Sequence, residues 1–181
     1  ATPDGGICFF PPGTYLVQSV VGTILVGRSG VSLVGAGATV SVLEIAETST
    51  AAAVLNLTRR SDVQVRDLGF DATANGPAMV AVYASASDGQ RNITVERCRF
   101  AGFMNGQAAP TAAAVYVWTT DGVQVLDSEF VDCGRAITLD QPEGPARVSG
   151  NRISASDPST MATGIWVRRA SGFSATEVVV S

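Results

Sequence analysis

The sequence predicts an all-β chain wound into a parallel β-helix, and three observations carry that prediction. The segment Val65 to Phe70 (Val-Arg-Asp-Leu-Gly-Phe) returns thirty positions later as Val95 to Phe100 and thirty beyond that as Val125 to Phe130, with a looser copy at Val148 to Ile153. Each copy has a companion a few residues upstream, rich in small and β-branched residues. Only 15% of the chain is charged, and Gly, Ala, Val, Ser and Thr dominate it. Short apolar segments recurring at such a period mark a solenoid, where each repeat buries its apolar side against the next.

Taken in order, Ile7 to Phe10 reads as a strand, Pro11-Pro-Gly13 as a tight turn, and Thr14 to Val17 as a second strand. Gly22 to Val26 continues the pattern. Gly30 to Gly37 alternates apolar and small residues and turns on glycines, where a missing Cβ permits positive φ or close approach between coils. The companion strands follow at Val54 to Thr58, Val80 to Ser85, Ala113 to Trp118, Ala136 to Asp140 and Gly164 to Arg168. With two or three strands and about 23 to 30 residues per turn, residues 1–181 make one domain of five to seven coils, with opening coils over 1–45 and repeated coils over 46–181.

Strand alternation assigns the faces. Val65, Val95, Val125 and Val148 stack inward. After a bend, Leu68, Cys98, Ser128 and Asn151 point in, followed by Phe70, Phe100, Phe130 and Ile153. Asn151, inside, is expected to bond backbone at a coil corner. Between these columns the charges alternate in sign from coil to coil: Arg66 with Glu96, Asp67 with Arg97 and then Asp127, Arg99 with Glu129 and then Arg152. Such a ladder explains these acids without catalysis, since Arg97 falls between Asp67 and Asp127.

The companion strands give a different surface. With Leu55, Val82, Val115, Ile137 and Ile165 inward, one outward column reads Asn56, Tyr83, Tyr116, Thr138, Trp166, and the next reads Thr58, Ser85, Trp118, Asp140, Arg168. Four aromatics on one outer face, beside an acid and a guanidinium, suit the flat apolar face of a sugar ring. Asp140, Arg168, Arg169, Thr138 and Asn56 are placed to bond its polar groups. The competing structural reading covers the same face with the loop from Gly102 to Pro110 or with a neighbouring protomer.

Several function classes fall away on composition. Net charge is −4 with no basic cluster, all 12 positive residues being Arg, which argues against a nucleic-acid groove. The chain has no His, so imidazole-dependent triads and His-ligated zinc are excluded. Cys8, Cys98 and Cys133 share no metal-site spacing and read as small buried residues rather than a disulfide. No apolar run is long enough for a membrane span, and no Asp cluster for Ca²⁺ or other metal is visible, so no cofactor is expected. Asn56-Leu-Thr58 and Asn92-Ile-Thr94 match the glycosylation triplet at a frequency near chance. Asp88-Gly89 and Asp121-Gly122 read as turns, and Asp132 lies in another.

Gly6-Ile-Cys-Phe-Phe-Pro-Pro-Gly-Thr-Tyr-Leu-Val17, followed by Gly30-Val-Ser-Leu-Val-Gly-Ala-Gly37, resembles the opening coils of the pectate-lyase-like superfamily of polysaccharide lyases, hydrolases, uronan epimerases and phage tailspikes. The motif is structural. It implies a single-stranded right-handed parallel β-helix and leaves the reaction open. The resemblance also implies a capping segment ahead of the first coil, whereas this chain opens at Ala1-Thr-Pro-Asp-Gly-Gly6. A longer chain or a neighbouring subunit is therefore expected over that end, and tailspike-like β-helices imply a homotrimer or a larger assembly.

The first expected function is a glycan-contacting module of an extracellular or virion-surface protein of tailspike or tail-fibre type, binding a polysaccharide or cell-surface glycan through Tyr83, Tyr116, Trp118, Asp140, Trp166 and Arg168. The second is a secreted polysaccharide lyase, hydrolase or epimerase using the same groove. Its catalytic residues stay unassigned, Asp140 being the acid to nominate, with Tyr116 as a proton donor and Arg168 or Arg169 on a carboxylate. The third is a structural spacer whose aromatic face is an assembly interface.

Overall fold

A computed structural model describes residues 5–17, 24–46, 53–73, 80–104, 113–157, 163–168 and 178–180. They form a parallel β-solenoid of about five turns with essentially no helix. The first coils contain β1 (Gly6–Phe10), β2 (Gly13–Val17), β3 (Ile24–Leu25), β4 (Val31–Gly35) and β5 (Ser41–Ile45). β6 (Ala53–Asn56), β7 (Val63–Arg66) and β8 (Gly69–Asp71) make the next coil. β9 (Val80–Glu96) and β11 (Val115–Leu126) each run along two walls before β10 (Arg99–Ala101) and β12 (Glu129–Val131) complete their coils. The remaining strands are β13 (Arg135–Asp140), β14 (Ala146–Ser149), β15 (Arg152–Ser154), β16 (Thr163–Arg168) and β17 (Val178–Val180).

One sheet of six strands stacks β15-β12-β10-β8-β5-β2, and the other eleven strands share the second sheet. Every pairing is parallel, and the registers are those the repeat predicts. Val65 faces Val95, Val95 faces Val125, and Val125 faces Val148. On the third wall Phe70, Phe100 and Phe130 are successive partners and Ile153 follows. A one-residue slip would turn each of these columns to solvent, so burial of the inner face pins the register. Val65, Val95, Val125, Phe100 and Phe130 are fully enclosed.

The bend after each valine column has a specific cause. Asp67, Arg97 and Asp127 adopt φ of 57°, 50° and 46°, and Gly150 at 67° occupies the same corner one coil on. A left-handed residue turns the chain between two walls in every repeat, and three of the four copies tolerate it without glycine. Gly35 meets the other demand expected of glycine, close approach, since a Cβ there would lie 2.1 Å from the Asp67 carbonyl oxygen. Just past the corner, apolar Leu68 gives way to Cys98, Ser128 and Asn151. The polar members bond the neighbouring backbone: Cys98 N–H donates to Ser128 Oγ at 3.1 Å, Ser128 N–H to Asn151 Oδ1 at 3.0 Å, and Asn151 Nδ2 to the Val125 carbonyl at 2.8 Å.

Three expectations need correction. Asp88-Gly89 and Asp121-Gly122 sit inside β9 and β11, bending extended chain around a corner rather than reversing it. Cys98 and Cys133 are buried free thiols as expected, but Cys8 is exposed, on β1 at the end of the strand order among the described residues. The charge ladder holds at Arg97–Asp67 and Arg99–Glu129 and fails at Arg66–Glu96. Those two are register partners, yet Glu96 pairs with its chain neighbour Arg97, and Arg66 Nε is buried without a hydrogen-bond partner. Of the loop from Gly102 to Pro110, residues 105–110 lie outside the described residues, as does Arg169. Among the described residues, no helix is long and apolar enough to cross a membrane.

Candidate functional site

The wall formed by β6, the first half of β9, the first half of β11, β13 and β16 carries all six proposed contact residues together with Asn56 and Thr138. Asn56 faces Tyr83, Tyr83 faces Tyr116, Tyr116 faces Thr138, and Thr138 faces Trp166. In the next outward column Ser85 faces Trp118, Trp118 faces Asp140, and Asp140 faces Arg168. The six proposed contact residues therefore share one outer surface, brought together by coil stacking from positions up to 85 apart in the chain.

This surface has an apolar end and a charged end. Tyr83 and Tyr116 stack with centroids 5.4 Å apart and planes 7° from parallel, as in-register rings one coil apart must. They pack with Ala53, Val80 and Ala113 into a second apolar cluster outside the solenoid core, against which Trp118 also lies. Val80 reaches the outer side because the strand bulges: the Ala114 carbonyl accepts from both Ala81 N–H and Val82 N–H, at 2.9 and 3.0 Å.

At the charged end, Asp140 is the hub. Arg168 Nε donates to Asp140 Oδ1 at 2.7 Å, Arg168 Nη2 donates to Oδ2, and the Tyr116 hydroxyl donates to the same Oδ2 at 3.0 Å. Asp140 is 1% exposed, whereas the Arg168 side chain is 45% exposed. Burial, and then the hydrogen bond to Asp140, pushes the Tyr116 phenol well above the ordinary tyrosine range. The bond to Asp140 likewise raises the Arg168 guanidinium, which stays charged.

The geometry divides the nominated residues into two groups. Tyr116, 4% exposed, and Asp140 are buried, and Thr138 is fully enclosed with its hydroxyl lacking a hydrogen-bond partner. Tyr83, Trp118 and Trp166 are partly exposed and Arg168 is open to solvent. The four aromatics thus form a partly covered ladder rather than an open platform. Asn56 is committed locally, its Oδ1 accepting from the Thr58 N–H at 2.9 Å.

One participant escaped the sequence reading. The Arg135 guanidinium carbon lies 4.8 Å from the Trp166 ring centroid, and that of Arg168 lies 5.5 Å from it. Arg135 opens β13 opposite Thr163, one outward column upstream of Trp166. The sequence signal was the column itself, which begins three residues earlier than the nominated positions and also holds Ala53, Val80 and Ala113. Cation–π contacts of this kind favour a planar guanidinium laid flat on indole.

Chemically the arrangement offers an aromatic and guanidinium surface over an enclosed carboxylate that accepts three hydrogen bonds. Asp140 is 1% exposed, so its carboxyl is engaged by the protein and shielded from solvent. Tyr116, held protonated by its surroundings, is a poor proton donor near neutral pH. Among the described residues, no three His, Cys, Asp or Glu side chains gather to hold a metal ion.

A family model described as rhamnogalacturonase A/epimerase, pectate lyase-like, matches residues 1–165. Neither curated protein sequences nor solved structures give a match. That match spans all but the last coil of a parallel solenoid whose opening strands carry the Pro11-Pro-Gly-Thr-Tyr15 turn, and the chain belongs to the rhamnogalacturonase A/epimerase, pectate lyase-like family of right-handed β-helices.

Proposed function

We propose that the protein binds polysaccharide on the outer wall of its β-helix, with Tyr83, Trp118, Trp166 and Arg168 as the contact surface and Tyr116 and Asp140 supporting it from beneath. The family's polysaccharide-related character supports the class of ligand. The observation that carries the site is the pair of adjacent outward columns, in which Trp118 and Trp166 flank the Asp140–Arg168 pair. Indole and guanidinium planes side by side match the alternating apolar and hydroxyl faces of a pyranose chain.

In this reading residues 1–181 are one β-helix domain of a longer extracellular or virion-surface protein of tailspike or tail-fibre type, assembled as a trimer or with neighbouring subunits. The wall binds and does not catalyse. The family's name favours one other reading, a secreted hydrolase, lyase or epimerase. Against catalysis at this wall stand the enclosed Asp140, engaged by Arg168 and Tyr116, and the raised Tyr116 phenol.

Affinity electrophoresis through rhamnogalacturonan, polygalacturonate, alginate, dextran and galactomannan tests the binding, with reducing ends and unsaturated-product absorbance followed in parallel. Retardation by at least one polymer, without product and lost in Trp118→Ala, is the expected result. Equal mobility of wild type and Trp118→Ala in every gel would remove the glycan reading, and product formation abolished by Asp140→Asn would replace it with the enzymatic one.

A further inference from the structure

Asp140 has a second use that does not require it to touch a ligand. It and Arg168 are register partners on adjacent coils, and Trp166 lies two residues before Arg168 on the same outward face of β16. An unrestrained arginine there would extend into solvent. Instead Nε and Nη2 turn back along the wall to Asp140, and the guanidinium comes to rest 5.5 Å from the Trp166 ring.

The carboxylate is itself fixed from the other side. The Tyr116 hydroxyl holds Oδ2, and Tyr116 is locked in its stack on Tyr83. A chain of contacts therefore runs Tyr83–Tyr116–Asp140–Arg168–Trp166 along the wall, with the buried Tyr116 and Asp140 at its centre. Two of the five guanidinium N–H groups hold Asp140. The Arg168 side chain as a whole is 45% exposed.

We infer that Asp140 is a positioning residue, clamping Arg168 beside Trp166 so that the indole and guanidinium form one preset surface before ligand arrives. Resting on the polysaccharide reading above, this accounts for a carboxyl group being buried on an outer wall. Arginine loses much rotamer freedom when a ligand orders it, and a clamp that orders it in advance removes that loss from binding. Releasing one such side chain weakens binding by about 3- to 10-fold.

The test separates this inference from the function it rests on. The chain has two tryptophans, so Trp118→Phe leaves Trp166 as the only indole fluorophore. In that background Asp140→Asn is expected to raise acrylamide quenching of Trp166 about twofold and to shift its emission, with circular dichroism unchanged. Arg168→Gln should give the same signature, and the double variant no more than either alone. Arg168→Lys should not rescue it, because an ammonium cannot span both carboxylate oxygens and lie flat on indole.

With Trp118 restored, Asp140→Asn should weaken retention by whichever polysaccharide binds wild type by about 3- to 10-fold, without abolishing it. A folded Asp140→Asn whose Trp166 quenching and emission match the parent overturns the inference. If Asp140→Asn does not fold, Arg168→Gln decides the matter, since an unchanged Trp166 signal there is equally fatal. A protein that binds no polysaccharide but shows the Trp166 signature keeps the clamp and loses the glycan reading.

Discussion

Two aromatic stacks run through this molecule, one inside the solenoid on the wall of β8, β10 and β12, the other outside on the wall of β6, β9 and β11. Inside, Phe70, Phe100 and Phe130 stack with centroids 5.0 and 4.8 Å apart and planes within 12° of parallel. Outside, Tyr83 and Tyr116 stack at 5.4 Å and 7°. The coil repeat dictates both geometries, because residues in register on adjacent parallel strands must lie about one strand spacing apart. What differs is the hydroxyl. Phenylalanine rings ask only to be enclosed, while a buried tyrosine needs an acceptor, and the acceptor of Tyr116 is Asp140. One oxygen atom thus connects an otherwise structural ladder to the Arg168–Trp166 surface.

The sharpest way to break the comparison is to delete a ring from each stack. Phe100 lies between Phe70 and Phe130 and meets the edge of Phe103 at 6.5 Å, so Phe100→Ala opens a cavity that two coils line. Destabilisation by about 3–5 kcal/mol is expected from denaturant unfolding. Tyr83→Ala, at the half-buried end of the outer stack, should lose less than half as much. Equal losses would mean that the outer stack is as much a core as the inner one.

A smaller effect isolates the hydroxyl. Tyr116→Phe keeps the ring and removes one donor from Asp140, a loss of about 1 kcal/mol at neutral pH. The pH dependence carries more information. The Tyr116 phenol is raised by burial and by Asp140, whereas a tyrosine in the unfolded chain ionises near pH ~10. Its contribution is complete below that pH and is lost as pH rises beyond it, since only the unfolded state gives up the proton.

Burial also pushes the Cys98 and Cys133 thiols up to about 12, so their contributions start to fall earlier, from the ordinary thiol range near pH ~8.5. Melting temperatures between roughly pH 7 and 11 should therefore decline in two stages. Tyr116→Phe should flatten only the upper stage and Cys98→Ala only part of the lower one. An upper stage unchanged in Tyr116→Phe would show that the phenol is not held as its burial implies.

The fold was legible because a solenoid writes its geometry into a period. Once Val65, Val95 and Val125 are aligned, alternation assigns every neighbour to a side, and the columns through Tyr83, Tyr116 and Trp166 follow without any knowledge of distance. Alternation gives direction but not cover. It sent Tyr116 and Asp140 outward and could not report that both are enclosed there. Nor could it choose among charges sharing a corner. Arg66 and Glu96 face one another by register, yet Glu96 sits close enough to Arg97 for a local pair. Arg135 was missed because the bulge at Ala81 and Val82 shifts the phase of alternation, so counting back from Tyr116 misplaces the column to which Ala113 and Arg135 belong.

The weakest contact completes the comparison. Arg97 holds Asp67 through Nε at 2.8 Å and Nη2 at 3.0 Å, the same forked arrangement that Arg168 makes with Asp140. Asp67, however, is 26% exposed where Asp140 is 1% exposed, so water serves it if the arginine is lost. Arg97→Ala should accordingly cost within about 0.5 kcal/mol, shrinking further in high salt. Arg97 also occupies a left-handed corner at φ 50°, where the corresponding residue one coil beyond Asp127 is Gly150. Arg97→Gly forfeits the same exposed pair but relaxes a conformation that costs a side-chain residue roughly 1 kcal/mol, so it should be neutral or stabilising relative to Arg97→Ala. Urea unfolding of the two variants measures the difference directly. If Arg97→Gly is the less stable, relief of the left-handed φ does not outweigh the chain entropy that glycine adds at that corner.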